Sequence, residues 1–206
     1  LLNSVRKDGG NLKKPCGKSS AKSALLATGI DYVNLRKRSD LDRGTTRQKV
    51  AGAVTTAFRA VFPAAAGDCS FQETSSGMNV FFPPSIPDSD LLAEFLPGLE
   101  RELEQLNRCC SSSAVFRLRA VFHSGEESTS TISAAAGRLL GSNFLRLFLA
   151  ALPNERSLAL LVSDEFYRRA IRPGTGSKSE FRRARIRSQA KNPVTVWAYR
   201  YPQVKA

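Results

Sequence analysis

Histidine is almost missing from this chain: there is one in 206 residues, beside a single methionine and a single tryptophan. The four cysteines, Cys16, Cys69, Cys109 and Cys110, form no C-x-x-C pair, and the lone histidine is His123. Clustered ligands at zinc spacing are therefore absent, and a metal site of that kind is not expected. No apolar run approaches the ~20 residues needed to cross a bilayer. The longest, Leu139 to Leu152, is broken by Asn143 and Arg146. Nothing resembles a secretory signal, so the expectation is a soluble protein without membrane contact in a reducing cytoplasm. The chain contains no internal repeat.

Acidic residues are also scarce, 18 against 31 Lys and Arg, which leaves a net charge of +13. The excess is segregated: residues 1–23 carry +5, residues 36–49 carry +4 and residues 168–206 carry +10, around a mildly acidic remainder. Such a distribution favours phosphate-bearing partners through long-range attraction, although charge runs of this kind also occur as solvated surface. The 42% hydrophobic content is ordinary for a globular protein, and the length suits one domain with a sizeable core.

Residues 1–23, rich in Gly, Lys and Ser, read as a flexible basic leader, residues 24–202 as one α+β domain, and 203–206 as a tail. Ala24–Val33 reads as a strand. Ser39 or Asp40 can cap a helix whose Val50, Val54, Ala57, Phe58 and Val61 recur at helical steps, with Pro63 as its stop. A strand near Cys69–Glu73, a tight Thr74–Gly77 turn with Gly77 suited to positive φ, and a strand Met78–Phe82 form a hairpin. Asp88 or Ser89 is placed to cap a helix with a leucine stripe, which Pro97 kinks. Val115–His123 alternates as a strand, Ser124–Ser133 reads as a polar loop, and helical patterns cover 134–140 and 143–151. Leu158–Val162 reads as a buried strand, Asp164–Ile171 as a short helix, and Phe181–Arg187 with Thr195–Tyr201 as a closing strand pair. The first part of this order, βαββαβ, is a ferredoxin-like core.

Several segments carry a family likeness: the hairpin Phe71–Phe82, Val80–Pro87, Arg117–Glu126 and Leu161–Tyr167. Over residues 24 to 202 the chain resembles the cyclase-homology domains of small actinobacterial proteins, of the class III nucleotidyl cyclase family. The resemblance implies that the ferredoxin-like core is elaborated as in those cyclases, with a mainly antiparallel sheet and helices packed on it. It also implies two aspartates that bind a pair of magnesium ions, one ending the first strand and one in the hairpin turn.

This sequence departs from that pattern. Counted back from the helix, Gly29 stands at the first aspartate position; a two-residue slide puts Asp31 there instead, and both registers remain open. Ser76 stands at the second position, and a neutral serine cannot supply the anionic oxygen that magnesium favours. A helical asparagine and arginine that the resemblance implies four residues apart correspond to Ala134 and Arg138, of which only the arginine matches. The expectation is a degenerate site with no catalytic residues and no cofactor. The chain then serves as a regulatory or scaffolding module through homodimerisation or a heteromeric partner, with nucleotide binding possible. A working cyclase with Mg or Mn on rearranged ligands, Asp31 and Glu73, is the alternative.

Other residues have a functional reading beside a plain one. Arg138 can grip a phosphate bidentately or pair with Glu126 or Glu127. Arg36, Lys37 and Arg38 before the first long helix can form an anion site or a solvated loop. His123 can act as a base or sit as a structural histidine. Period-two spacing puts Arg183, Arg185 and Arg187 on one strand face, near the alternating Trp197, Tyr199 and Tyr201. That combination suits nucleic acid, a second alternative for the whole chain, or a protein interface.

Overall fold

The computed structural model describes residues 23–32, 40–74, 77–109, 116–125, 128–171, 180–187 and 193–200. One seven-stranded sheet, in the order β2-β3-β1-β4-β5-β7-β6, forms the middle layer. Its strands are β1 (Ser23–Tyr32), β2 (Ser70–Glu73), β3 (Gly77–Phe82), β4 (Phe116–Gly125), β5 (Leu158–Ser163), β6 (Phe181–Arg187) and β7 (Pro193–Tyr199). All neighbours run antiparallel except the parallel pair β4/β5. The first four strands and the helices between them make the ferredoxin-like βαββαβ unit, extended by β5 to β7.

Side-chain alternation sorts the core into two faces. On one face, Leu26, Val80, Phe82, Leu118, Ala120, Phe122, Leu160 and Val162 meet the helices α1 (Asp40–Val61), α3 (Leu96–Arg108) and α6 (Asp164–Ala170). Helix α1 offers Val50, Ala53, Val54, Ala57 and Phe58 at three- and four-residue steps, and Pro63 follows its end. Gly98 of α3 faces Ala57 of α1, where a Cβ would make ordinary contact at 3.7 Å. On the other face, Leu25, Ala27, Val121, Ala159 and Leu161 meet α4 (Thr129–Leu140) and α5 (Asn143–Ala151). Phenylalanine rings join the first face together, with Phe82 5.3 Å from Phe95 and Phe122 5.0 Å from Phe166 between centroids. Each such pair contributes roughly 0.5–1.5 kcal/mol beyond area burial.

Several local expectations are corrected. Neither Asp88 nor Ser89 caps the second helical stretch. Pro87 occupies that position, and Asp88 lies within the first turn, α2 (Asp88–Asp90), buried, with Arg169 Nε 3.0 Å from its carboxylate. Burial holds the Asp88 carboxyl above the ordinary carboxylate range, against the pull of Arg169. A wide π-type turn, Leu91–Phe95, leads into α3, and Pro97 sits in the first turn of α3, where its missing N–H is tolerated. The Ser/Thr-rich stretch read as loop through Ser133 is helical from Thr129, because Ser128 caps α4 by accepting from the Thr131 N–H. The last strand begins at Pro193 and ends at Tyr199; Tyr201, Val115 and Ser39 lie outside the described residues. Among the described residues no helix is long and apolar enough to cross a membrane.

Gly77 is required for closeness, not for a left-handed turn. It is the first residue of β3, opposite Gly29 of β1, and a Cβ there would fall 2.1 Å from the Thr28 carbonyl oxygen. The Thr28 hydroxyl meanwhile donates to the Met78 carbonyl at 3.0 Å and accepts from its N–H at 3.2 Å. Replacing Gly77 with Ala should destabilise the domain by about 2 kcal/mol or more, since only backbone can yield. Gly137, exposed on α4 with open space at its Cβ position, is the control: Gly137→Ala should stabilise by about 0.5–1 kcal/mol. Urea denaturation of both variants checks the pair.

Candidate functional site

Strand β4 carries two arginines on one face, and each satisfies a helix end. Arg119, 8% exposed, donates from Nη1 to the carbonyl of Leu140, the last residue of α4, at 2.6 Å. Arg117 donates to the carbonyls of Leu152 (3.1 Å), Pro153 (3.3 Å) and Arg156 (3.1 Å), just past α5. Carbonyls at a helix C-terminus lack intrahelical partners and carry partial negative charge, so a guanidinium fork is a fitting cap.

Arg119 also governs the end of β1. Its Nη2 lies 3.4 Å from where a side chain at Gly29 would begin, and Leu140 is 3.5 Å away. A buried cation thus stands beside the first candidate metal position. Asp31 lies two residues further along β1, opposite Arg117, beyond the last β1–β3 pair at Gly29–Gly77. Glu73 is exposed on β2, opposite Met78, so β3 separates it from Asp31's strand. Ser76, Arg36 and Lys37, with Arg38, lie outside the described residues, as do Glu126 and Glu127. Among the described residues no group of three or more His, Cys, Asp or Glu side chains could hold a metal ion.

Arg138 is placed differently. It lies one turn beyond Ala134 on α4, both exposed, at a cleft of about 460 Å³ over the carboxyl ends of the parallel pair β4 and β5. His123 and Ser163 come from those strand ends, Arg138 and Leu139 from α4, Asp164, Glu165 and Arg168 from α6, and Val194 and Thr195 from the start of β7. Ser163 is committed to capping α6, accepting from the Phe166 N–H at 3.3 Å. Asp164 is bonded by Arg168 and accepts from the indole N–H of Trp197 at 3.0 Å. The Arg168 bond, followed by the indole and the nearby charge of Arg183, holds the Asp164 carboxyl below its ordinary range. Arg138 makes no ion pair among the described residues.

The basic strand and its aromatic neighbours part company. Arg183, Arg185 and Arg187 are exposed on β6, opposite Trp197, Thr195 and Pro193. Trp197 is half-buried and stacked on Tyr167 at 3.7 Å, and Tyr199 is buried against Phe181. The sequence did not single out Arg119, Asp164, Arg168 or Thr195 as site residues. Only the Ser163 cap has a local signal, because the rest converge through strand order.

No protein-family model matches the chain, and no curated protein matches it in sequence. Solved structures do. An adenylate/guanylate cyclase/hydrolase from Silicibacter pomeroyi is similar with a TM-score of 0.52 at 18% identity, over 88% of this chain and 97% of that one. The guanylyl cyclase Cya2 is similar with a TM-score of 0.53 at 8% identity, over 89% and 94%. A bacterial light-regulated adenylyl cyclase gives 0.53 at 10%, over 87% of this chain and 51% of that one. These likenesses show the fold, that of a class III nucleotidyl cyclase domain.

The lowered Asp164 carboxyl has a pH consequence. Its folded pKa lies below the ordinary value of 3.8, so its stabilisation is complete above that range and is lost as pH falls through it. The Tm advantage of the wild-type protein over Asp164→Asn should therefore shrink as pH is lowered from about 6 to about 3. Emission from Trp197, the only tryptophan, should change in the variant at neutral pH.

Proposed function

We propose that this chain, which carries the class III nucleotidyl cyclase fold, is a non-cyclising module that works by association, with a copy of itself or with another protein. The Arg138 cleft retains room for a phosphate-bearing ligand such as a nucleotide. The observation that carries the reading is the Arg119 guanidinium beside Gly29. Two-metal cyclisation needs anionic oxygens to hold divalent ions between nucleophile and triphosphate. At Gly29 there is no side chain, and the adjacent group is a guanidinium cation. Like unit charges about 4 Å apart repel by roughly 4 kcal/mol at an effective dielectric of about 20, and a divalent ion roughly doubles that. The residues at this position do not fit a metal.

Arg138, still in place on α4, favours the alternative of a cyclase with rearranged ligands, Asp31 and Glu73. Those two come from strands separated by β3, so one metal pair would have to reach across it.

Incubation with each nucleoside triphosphate and Mg²⁺ or Mn²⁺ should give no cyclic nucleotide. Robust product that disappears in Asp31→Ala would replace this reading with the alternative. In calorimetry, Arg138→Ala should weaken binding of a nucleoside triphosphate by roughly tenfold or more, the usual loss when a charged hydrogen-bond donor to phosphate is removed.

A further inference from the structure

We infer that β6 is a docking edge for an acidic, extended polypeptide segment, which adds to the sheet as a further strand and sets its carboxylates against Arg183, Arg185 and Arg187. The inference rests on the reading that the chain works by association, and it names the chemistry of one partner.

β6 is the last strand of the sheet and pairs with β7 alone. Along its outer side the seven-residue strand presents backbone donors and acceptors that have no sheet partner among the described residues. Phe181 anchors its inner end in the core on the α6 side, and Arg183, Arg185 and Arg187 continue that face into solvent. The repeat along the row is about 6.8 Å, twice the rise per strand residue, so an added strand with acids at alternate positions meets it in register.

No acid interrupts residues 182–187, and Arg185 and Arg187 make no ion pair among the described residues. Arg183 has Asp164 nearby, but that carboxylate is already held by Arg168 and Trp197. Like charges side by side on one face repel, a cost that an acidic strand removes. A charged edge also discourages unwanted pairing, a task usually given to lysine. Arginine's planar fork, which takes a carboxylate through two parallel bonds, suits capture better. Single-stranded nucleic acid would want stacking surfaces beside these cations, but the half-buried Trp197 is already stacked on Tyr167 and Tyr199 is buried. The observations favour a polypeptide.

The test is fluorescence anisotropy on the full chain with four labelled probes. They are a peptide with Glu at alternate positions, one of the same composition with Glu clustered at one end, a proline-interrupted version of the first, and a single-stranded oligonucleotide of equal charge. The alternating peptide should bind best and weaken with salt. Its affinity should fall roughly tenfold for Arg185→Glu/Arg187→Glu. A peptide with Lys in place of Glu should recover binding to that variant, whose fold circular dichroism verifies. Equal binding of the clustered or proline-interrupted peptide, tighter binding of the oligonucleotide, or no binding would overturn the inference. Sedimentation velocity separates it from the broader reading. Self-association that persists in the double variant, with no peptide binding by either protein, sinks the docking edge and leaves association standing.

Discussion

The contact on which most of this domain depends is a cluster of phenylalanine rings on one face of the sheet. Phe122 of β4 touches Phe82 of β3, Phe95 of the π-type turn and Phe166 of α6, and Phe58 of α1 closes against Phe82 and Phe95. Five elements from separate parts of the chain thereby share one apolar centre. Fully burying each ring stabilises by roughly 1.5–3 kcal/mol relative to exposure. The cluster also fixes where the polar groups go. With Phe166 anchored, the start of α6 is held beside β7, and Asp164 meets both Arg168 and Trp197. The cleft at Arg138 is bounded by that arrangement on one side and by α4 on the other.

On the opposite face, charge does work that packing does on the first. Arg117 and Arg119 close the ends of two helices from a single strand, so β4 is tied to α4 and α5 by hydrogen bonds as well as by Val121. A residue recruited to cap a helix then fills the space at the end of β1. The helix cap and the neighbourhood of Gly29 therefore share one side chain, Arg119. A carboxylate placed at position 29 would stand next to that guanidinium, within reach of a charge-assisted pair.

Much of the architecture was legible in the sequence because the residues that define it are periodic. The leucines of α3 at 96, 99 and 103 and the alternation of β4 needed no tertiary information. The start of α4 was obscured because Thr129, Ser130 and Thr131 have weak helix propensity, and the Ser128 cap compensates for them only once the backbone has turned. Gly77 was misread for a different reason. A glycine beside a turn suggests left-handed backbone, whereas the need here is set by Thr28 on a strand nearly fifty residues away in sequence. Of the candidate site, Arg138 was visible through its likeness to a family motif. Arg119, Asp164 and Thr195 were not, since what gives them a role is the neighbour each acquires from strand order.

The position of β1 has a consequence for synthesis. It lies between β3 and β4, with Ser23 opposite Gly125, so its hydrogen-bonding edges are filled by partners that leave the ribosome long after it does. Until then a strand containing Leu25, Leu26 and Ala27 must wait with its apolar side chains uncovered. The interval in which the nascent chain is open to aggregation ends only when β4 has emerged to pair with β1 and α4 and α5 have followed to cover Leu25 and Ala27.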